Sequence, residues 1–140
     1  MVSFQVFLQL DGRPVINTSV FIQGKRKAAI PSLLDTGSNS TFLSYSLVKE
    51  LGLCYNRTTE DGKSPYGRGL IVEIFYGLEL RLYDNVGNHH DIFIPECKSL
   101  VNSNYDHEVI IGTDVLIQGT LFYNGPNNGY TLNFEPQVFT

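Results

Sequence analysis

Charge is scarce in this sequence. Lys, Arg, Asp and Glu make up 17% of its 140 residues, where a soluble domain carries about a quarter. A chain of this size with so few charges is expected to hide apolar surface in an oligomer interface. The balance is acidic, with a formal net charge of −4. That balance argues against a phosphate-binding surface as the main function, since nucleic-acid binders carry a basic footprint. The one basic run, Gly24-Lys25-Arg26-Lys27, reads as a solvated hairpin turn. Tryptophan is absent, and the two cysteines, Cys54 and Cys97, lack the CxxC spacing of a metal or redox motif. Both read as buried free thiols. No apolar run approaches the ~18 residues that a membrane-crossing helix needs. The opening segment "MVSFQVFLQLDG" has neither the basic nor the long apolar region of a secretory signal. A cytoplasmic protein with no membrane partner is therefore expected. Asn17-Thr18-Ser19, Asn39-Ser40-Thr41 and Asn56-Arg57-Thr58 then read as chance glycosylation matches.

What is present is mostly strand. "SFQVFLQL" alternates Phe4, Val6, Leu8 and Leu10 with polar neighbours, the period of a half-buried strand. "VINTSVFI" and "KAAIPSLLD" follow, separated by Gln23-Gly24, and Pro31 places the latter at an edge or a bulge. "SYSLVKELGL" predicts one short helix, with a serine cap, Leu47, Val48 and Leu51 on one side, and Gly52 as the stop. Residues 56–69 are polar and turn-rich. Strands are predicted at "LIVEIFYGLELRLYD", broken at Gly77, and at "HDIFIPE". After Val109-Ile110-Ile111 and Gly112 the spacing turns helical through Val115, Leu116 and Leu121. "GPNNG" is a hairpin turn before a last strand, "YTLNFE". One domain over residues 1–140 is expected. Its fold class is all-β, a sandwich or barrel with one or two short helices.

The segment "PSLLDTGSNSTFLS" carries the chemistry. Asp and Gly occupy turns for local reasons. Here, however, Asp35-Thr36-Gly37-Ser38 lies between two apolar runs. Its carboxylate is expected near the core floor, where a charge is costly without partners. "EVIIGTDVL" repeats the same logic of apolar strand, glycine and helix start, and Gly112 lets two segments pass closely. Between them "GKSPYGRGLIVEI" places a glycine-punctuated tip, Tyr66-Gly67-Arg68-Gly69, ahead of a strand. That suits a hairpin covering a cleft.

Together, "LLDTGSNSTFLS", "GKSPYGRGLIVEI" and "VIIGTDVL" resemble, in order, the active-site loop, flap and late glycine loop of a retropepsin. Retropepsins are the single-domain aspartic proteases of retroviruses, retroelements and some bacteria. The resemblance spans about residues 15–135 and is thinnest over 84–107. It implies a closed β-barrel with a flap hairpin and one or two short helices, assembled as a two-fold homodimer. It implies Asp35 as the catalytic carboxylate, with Thr36, Gly37 and Ser38 completing the active-site loop. Thr36 would bridge to its symmetry mate, Gly37 would offer its carbonyl to substrate, and Ser38 would bond the carboxylate's outer oxygen. Substrate-binding positions carried over are Asn39, Tyr66, Gly67, Arg68, Gly69, Ile111 and Gly112. The chain departs from retroviral members at two positions that often form an ion pair there: Asn39 replaces Asp and Thr113 replaces Arg.

The implied reaction is hydrolysis of an extended peptide or protein substrate by two carboxylates sharing one proton, with no cofactor and no metal. One Asp-Thr-Gly per chain requires a second copy. Asp114 lacks the Thr-Gly setting and is expected to start a helix or pair structurally. Leu33, Ile71, Ile111 and Leu116 are core or pocket residues that the sequence does not separate. The competing readings are a dimerising or peptide-binding module of the same fold, and a zinc site at His89-His90-Asp91 with Cys97. Adjacent strand residues point to opposite faces, which disfavours the zinc site. His89-His90 reads instead as an exposed turn, and Asp106-His107-Glu108 as a solvated approach to a strand. No histidine is placed to activate Cys54 or Cys97 as a nucleophile.

Overall fold

A computed structural model describes residues 2–8, 12–63, 69–83, 87–103, 105–124 and 129–134. Ten strands and two short helices follow one another: β1 Val2–Leu8, β2 Pro14–Ile22, β3 Lys25–Leu34, β4 Phe42–Leu43, α1 Tyr45–Leu51, β5 Arg57–Lys63, β6 Gly69–Tyr83, β7 His89–Leu100, β8 Val109–Ile111, α2 Thr113–Leu116, β9 Thr120–Asn124 and β10 Gly129–Phe134. They form one sheet in the order β5-β6-β7-β4-β8-β3-β2-β1-β10-β9, and an added β6–β2 pairing closes β2, β3, β8, β4, β7 and β6 into a ring. The closed ring is the expected barrel, with β5 attached at one place and β1-β10-β9 at another.

Local chemistry explains much of this. Gln23 and Gly24 both have positive φ, 52° and 72°, as a tight hairpin turn between β2 and β3 requires. Helix α1 is capped by Ser44, whose Oγ accepts the Leu47 N–H at 3.2 Å. It stops at Gly52, in the left-handed region with φ 64°. Leu47 and Val48 face the core. Pro31 is not on an outer strand, since β3 lies between β2 and β8. It sits beside an irregularity where the β2–β3 register slips between Thr18 and Val20.

The core joins barrel and helices. Val20, Leu34, Leu43, Leu47, Phe75, Leu78, Leu80 and Ile111 are all 4% exposed or less. β6 is continuous, and Gly77 kinks it with φ 78° instead of ending it. That kink lies between the Tyr76–Glu96 and Leu78–Ile94 pairs, opposite Pro95, which has no N–H to give the ladder. There the buried side changes: β7 buries His90, Ile92 and Ile94 before Pro95, but Cys97 and Ser99 after it.

Several expectations are corrected. Residues 57–63 are strand, because β5 pairs along β6 from Arg57–Ile74 to Lys63–Gly69. α2 is a single turn, and Leu121 belongs to β9. His90 is buried and stacks on Phe134, with centroids 4.4 Å apart and rings 12° from parallel, so His89-His90 is not an exposed turn. His107 is also buried, and Glu108 is half-buried and paired with Lys27 at 2.9 Å. Only Asp106 of that trio is solvated. Lys27 therefore belongs to an ion cluster with Glu108 and Glu50, leaving Lys25 and Arg26 as the exposed part of the basic run. Both cysteines are free, Cys97 buried as expected and Cys54 exposed.

Candidate active site

β3 and β8 run parallel, pairing Ser32–Val109, Leu33–Ile110 and Leu34–Ile111. Each ends in a loop, and the two loops interlock. The Asp35 N–H donates to Ile111 O at 2.9 Å, which extends the ladder one residue into the loop. The chain then turns back, with the Ser38 N–H donating to Asp35 O at 3.2 Å. Inside that turn the Gly37 N–H donates to Asp35 Oδ1 at 2.8 Å and orients the carboxylate. A Cβ at position 37 would stand 3.2 Å from that oxygen, so glycine keeps the carboxylate's side open.

Gly112 is the second fixed point. A Cβ there would collide with the Ser40 carbonyl and lie 2.8 Å from Ser38 O. Only glycine allows the two loops this approach. The Thr113 N–H crosses to Ser38 O at 2.8 Å. Thr41, fully buried, donates through its N–H and its Oγ1 to the two oxygens of Asp114, each at 2.9 Å. Asp114 also accepts the Val115 N–H at 3.0 Å. It thus pairs structurally at the start of α2, where its charge suits the helix N-terminus.

The other candidates separate. Thr36, Gly37 and Asn39 are exposed and Ser38 is half-buried. The Ser38 hydroxyl donates to Ser40 O at 2.7 Å, so it bonds the loop backbone and not the carboxylate's outer oxygen. Ile111 is fully buried; its carbonyl holds Asp35, and its side chain is core. Ile110, its neighbour on the opposite strand face, lines a hollow of about 190 Å³ with Asp35, Ser38, Phe42, Leu100 and Tyr105. The Phe42 and Tyr105 rings meet edge-on there, with centroids 6.4 Å apart. Ile110 and Ile111 are both apolar, and only strand register tells which one faces the hollow. Leu116 is core and Ile71 is exposed. Gly69 begins β6. Tyr66, Gly67 and Arg68 lie outside the described residues, so β5 and β6 are seen as an antiparallel pair without its tip.

Cys97 is no rival nucleophile. Burial pushes its thiol up to about 12, and the negative charge of Asp114 adds to the effect. His89 is exposed while His90 is buried, so the two do not converge on one metal.

No family model and no curated protein matches the sequence. Solved structures match its fold. One is a retropepsin-like aspartic protease from Rickettsia conorii, 13% identical, with a TM-score of 0.61 over 95% of this chain and 91% of that one. Another is the retroviral protease-like domain of Ddi1 from Leishmania major, 14% identical, with a TM-score of 0.50 over 87% of this chain and 94% of that one. The fold is retropepsin-like. In this retropepsin-like fold the Asp35 loop and the Gly112 loop stand together at the ends of two parallel barrel strands. Among the described residues no helix is long and apolar enough to cross a membrane.

Proposed function

We propose that the chain is an aspartic endopeptidase that works as a homodimer, each copy supplying Asp35. The observation that carries this reading is the carboxylate itself. It is held at the end of a barrel strand by the Gly37 N–H at 2.8 Å, on a loop locked to the Gly112 loop, in a retropepsin-like fold. What supports more than an ordinary Asx-turn is its place beside an apolar hollow, on a loop interlocked with a second one.

Two carboxylates about 3 Å apart cannot both be ionised, so a pair shares one proton. The ionised Asp35 takes a proton from water, and the hydroxide formed attacks the scissile carbonyl carbon. The protonated Asp35 of the second copy gives its proton to the carbonyl oxygen, producing a neutral tetrahedral diol. Collapse breaks the C–N bond as the amine nitrogen takes a proton from one carboxyl and a diol hydroxyl returns one to the other. Thr36 and Gly37 are exposed on the loop, which suits contact with the partner copy and the substrate backbone.

The substrate is an extended peptide held by main-chain hydrogen bonds, with alternate side chains in pockets. The hollow beside Asp35 is about 190 Å³. Lined by Phe42, Leu100, Tyr105 and Ile110 beside Asp35 and Ser38, it suits an apolar side chain. The test is digestion of an unbiased peptide library by wild-type and Asp35→Asn protein, with and without a statine-type inhibitor. Inhibitable cuts lost in the variant, next to Leu, Ile or Phe, are expected. Peptide binding without any cut, by protein shown to be dimeric, would move the function to peptide capture on the same fold.

A further inference from the structure

A second groove, of about 650 Å³, lies between α1 and the β5–β6 pair, apart from the Asp35 hollow. We propose that it binds a short zwitterionic peptide, one with a free ammonium, a free carboxylate and a large apolar side chain. The inference does not rest on the Asp35 reading.

The groove is built in advance. On the α1 side the backbone fixes the wall: the Leu53 N–H donates to Val48 O at 3.0 Å, and the Asn56 N–H to Ile74 O at 2.8 Å. Between these bonds the Gln23 side chain brackets Cys54. Its Nε2 donates to Cys54 O at 2.7 Å, and its Oε1 accepts the Cys54 N–H at 3.0 Å. On the sheet side the Val101 N–H donates to Ile71 O at 3.1 Å. Walls held by such bonds need little ordering when a ligand arrives. The volume falls within the roughly 300–1,000 Å³ of small-molecule sites.

The lining sets the ligand chemistry. Leu53, Tyr55, Ile71 and Val101 supply apolar surface. Ile71 is 53% exposed and Tyr55 55%, so this surface is open to a neighbour. One cation and one anion accompany it. Lys49 Nζ lies over the Tyr45 ring, 4.9 Å from its centroid. Tyr45 holds the Lys49 ammonium above the ordinary lysine range, and the Glu73 charge adds to this. Glu73 is therefore near, yet none of the ion pairs among the described residues joins it to Lys49. Neither charge is tied up by the other. A ligand with one charge of each sign complements the pair, its carboxylate towards Lys49 and its ammonium towards Glu73. Its side chain then covers Ile71 and Leu53. An uncharged apolar ligand would strip water from both charges without replacing it, and a polyanion would meet Glu73.

The groove and the Asp35 hollow flank one short segment. Leu100 lines the hollow, and Val101, the next residue, lines the groove. Short peptides with free ends are also what an endopeptidase releases.

Cys54 reports on occupancy directly. It lines the groove and is exposed, whereas Cys97 is buried. The probe is the dipeptide Leu-Phe, added to full-length Asp35→Asn protein while a disulfide reagent titrates Cys54. At up to about 10 mM, Leu-Phe is expected to slow the labelling about threefold or more. N-acetyl-Leu-Phe and Leu-Phe amide each lack one charge. Each should bind about two- to fivefold more weakly, the worth of one exposed ion pair. Lys49→Gln should erase the advantage of the free carboxylate, and Glu73→Gln that of the free ammonium. Failure of Leu-Phe to protect Cys54 overturns the proposal. Equal protection by the doubly capped dipeptide overturns it too, since the charges then recognise nothing. Protection of Cys54 in a chain whose wild type cuts no peptide keeps the groove and removes the protease. Asp35-dependent cleavage without protection does the reverse.

Discussion

Thr41 and Asp114 are joined by two hydrogen bonds of 2.9 Å across 73 residues of chain. One partner closes the Asp35 loop and the other opens α2. The pair, with the Gly112 N–H reaching Thr41 Oγ1 at 3.4 Å, makes the two loops one body.

Removing the acceptor should therefore be costly. Asp114→Ala leaves the buried Thr41 N–H and hydroxyl without their carboxylate, at about 1–3 kcal/mol for each buried group left unpaired. Asp114→Asn keeps an acceptor for one bond and should lose roughly half as much. Urea midpoints of the two variants check the order. Equal stability of wild type and Asp114→Ala would show that the contact carries no energy.

Gly112→Ala tests the close approach. Its Cβ would meet backbone at Ser40 and Ser38, and backbone cannot swing aside as a side chain can. A loss of at least about 2 kcal/mol is expected, together with loss of any Asp35-dependent cleavage. Gly52→Ala makes the contrast: its Cβ would meet no atom within 4 Å, and its cost comes only from the left-handed backbone.

The two thiols should differ sharply in reactivity. Cys54 is exposed, whereas burial holds the Cys97 thiol protonated, with its pKa at about 12, and the thiolate is the reactive form. One thiol per chain should react with a disulfide reagent at pH 8 in the native state, and two in denaturant. Rapid reaction of both in native protein would show that the β7 core opens.

Acidification should weaken the fold through His90. Burial lowers its pKa below the ordinary histidine value, and this outweighs Asp91, which pulls the other way. A histidine whose folded pKa is depressed contributes stability that is present above its unfolded pKa and lost as pH falls towards the folded value. Wild-type protein should lose denaturant resistance from pH 7.5 to 5.5. His90→Phe, placed against Phe134, should lose measurably less. Parallel pH profiles for the two would assign the effect to other groups.

Much of the loop arrangement around Asp35 was legible in the sequence, for local reasons. Asp35-Thr36-Gly37 reads as a turn whose glycine and carboxylate bond each other within three residues. Gly112 announces a close approach without naming its partner. Ile110 and Ile111 are chemically alike, so nothing in the sequence tells which one lines the hollow and which is core. The Ser38 hydroxyl, expected on the Asp35 carboxylate, donates to Ser40 O instead.

The sequence by itself determined the features settled within a few residues: the alternation of most strands, the Gln23-Gly24 turn, helix α1 between Ser44 and Gly52, and the carboxylate loop at the end of β3. Only the tertiary structure decided what depends on partners far along the chain. It made a strand of the polar residues 57–63, by laying them on β6. It buried His90 and left His89 outside, buried Cys97 and exposed Cys54, and closed the barrel through β2 and β6. The reason is range. Caps and turns are fixed by bonds between neighbours, whereas burial follows strand register, and a slip of one residue would exchange every inner side chain for an outer one.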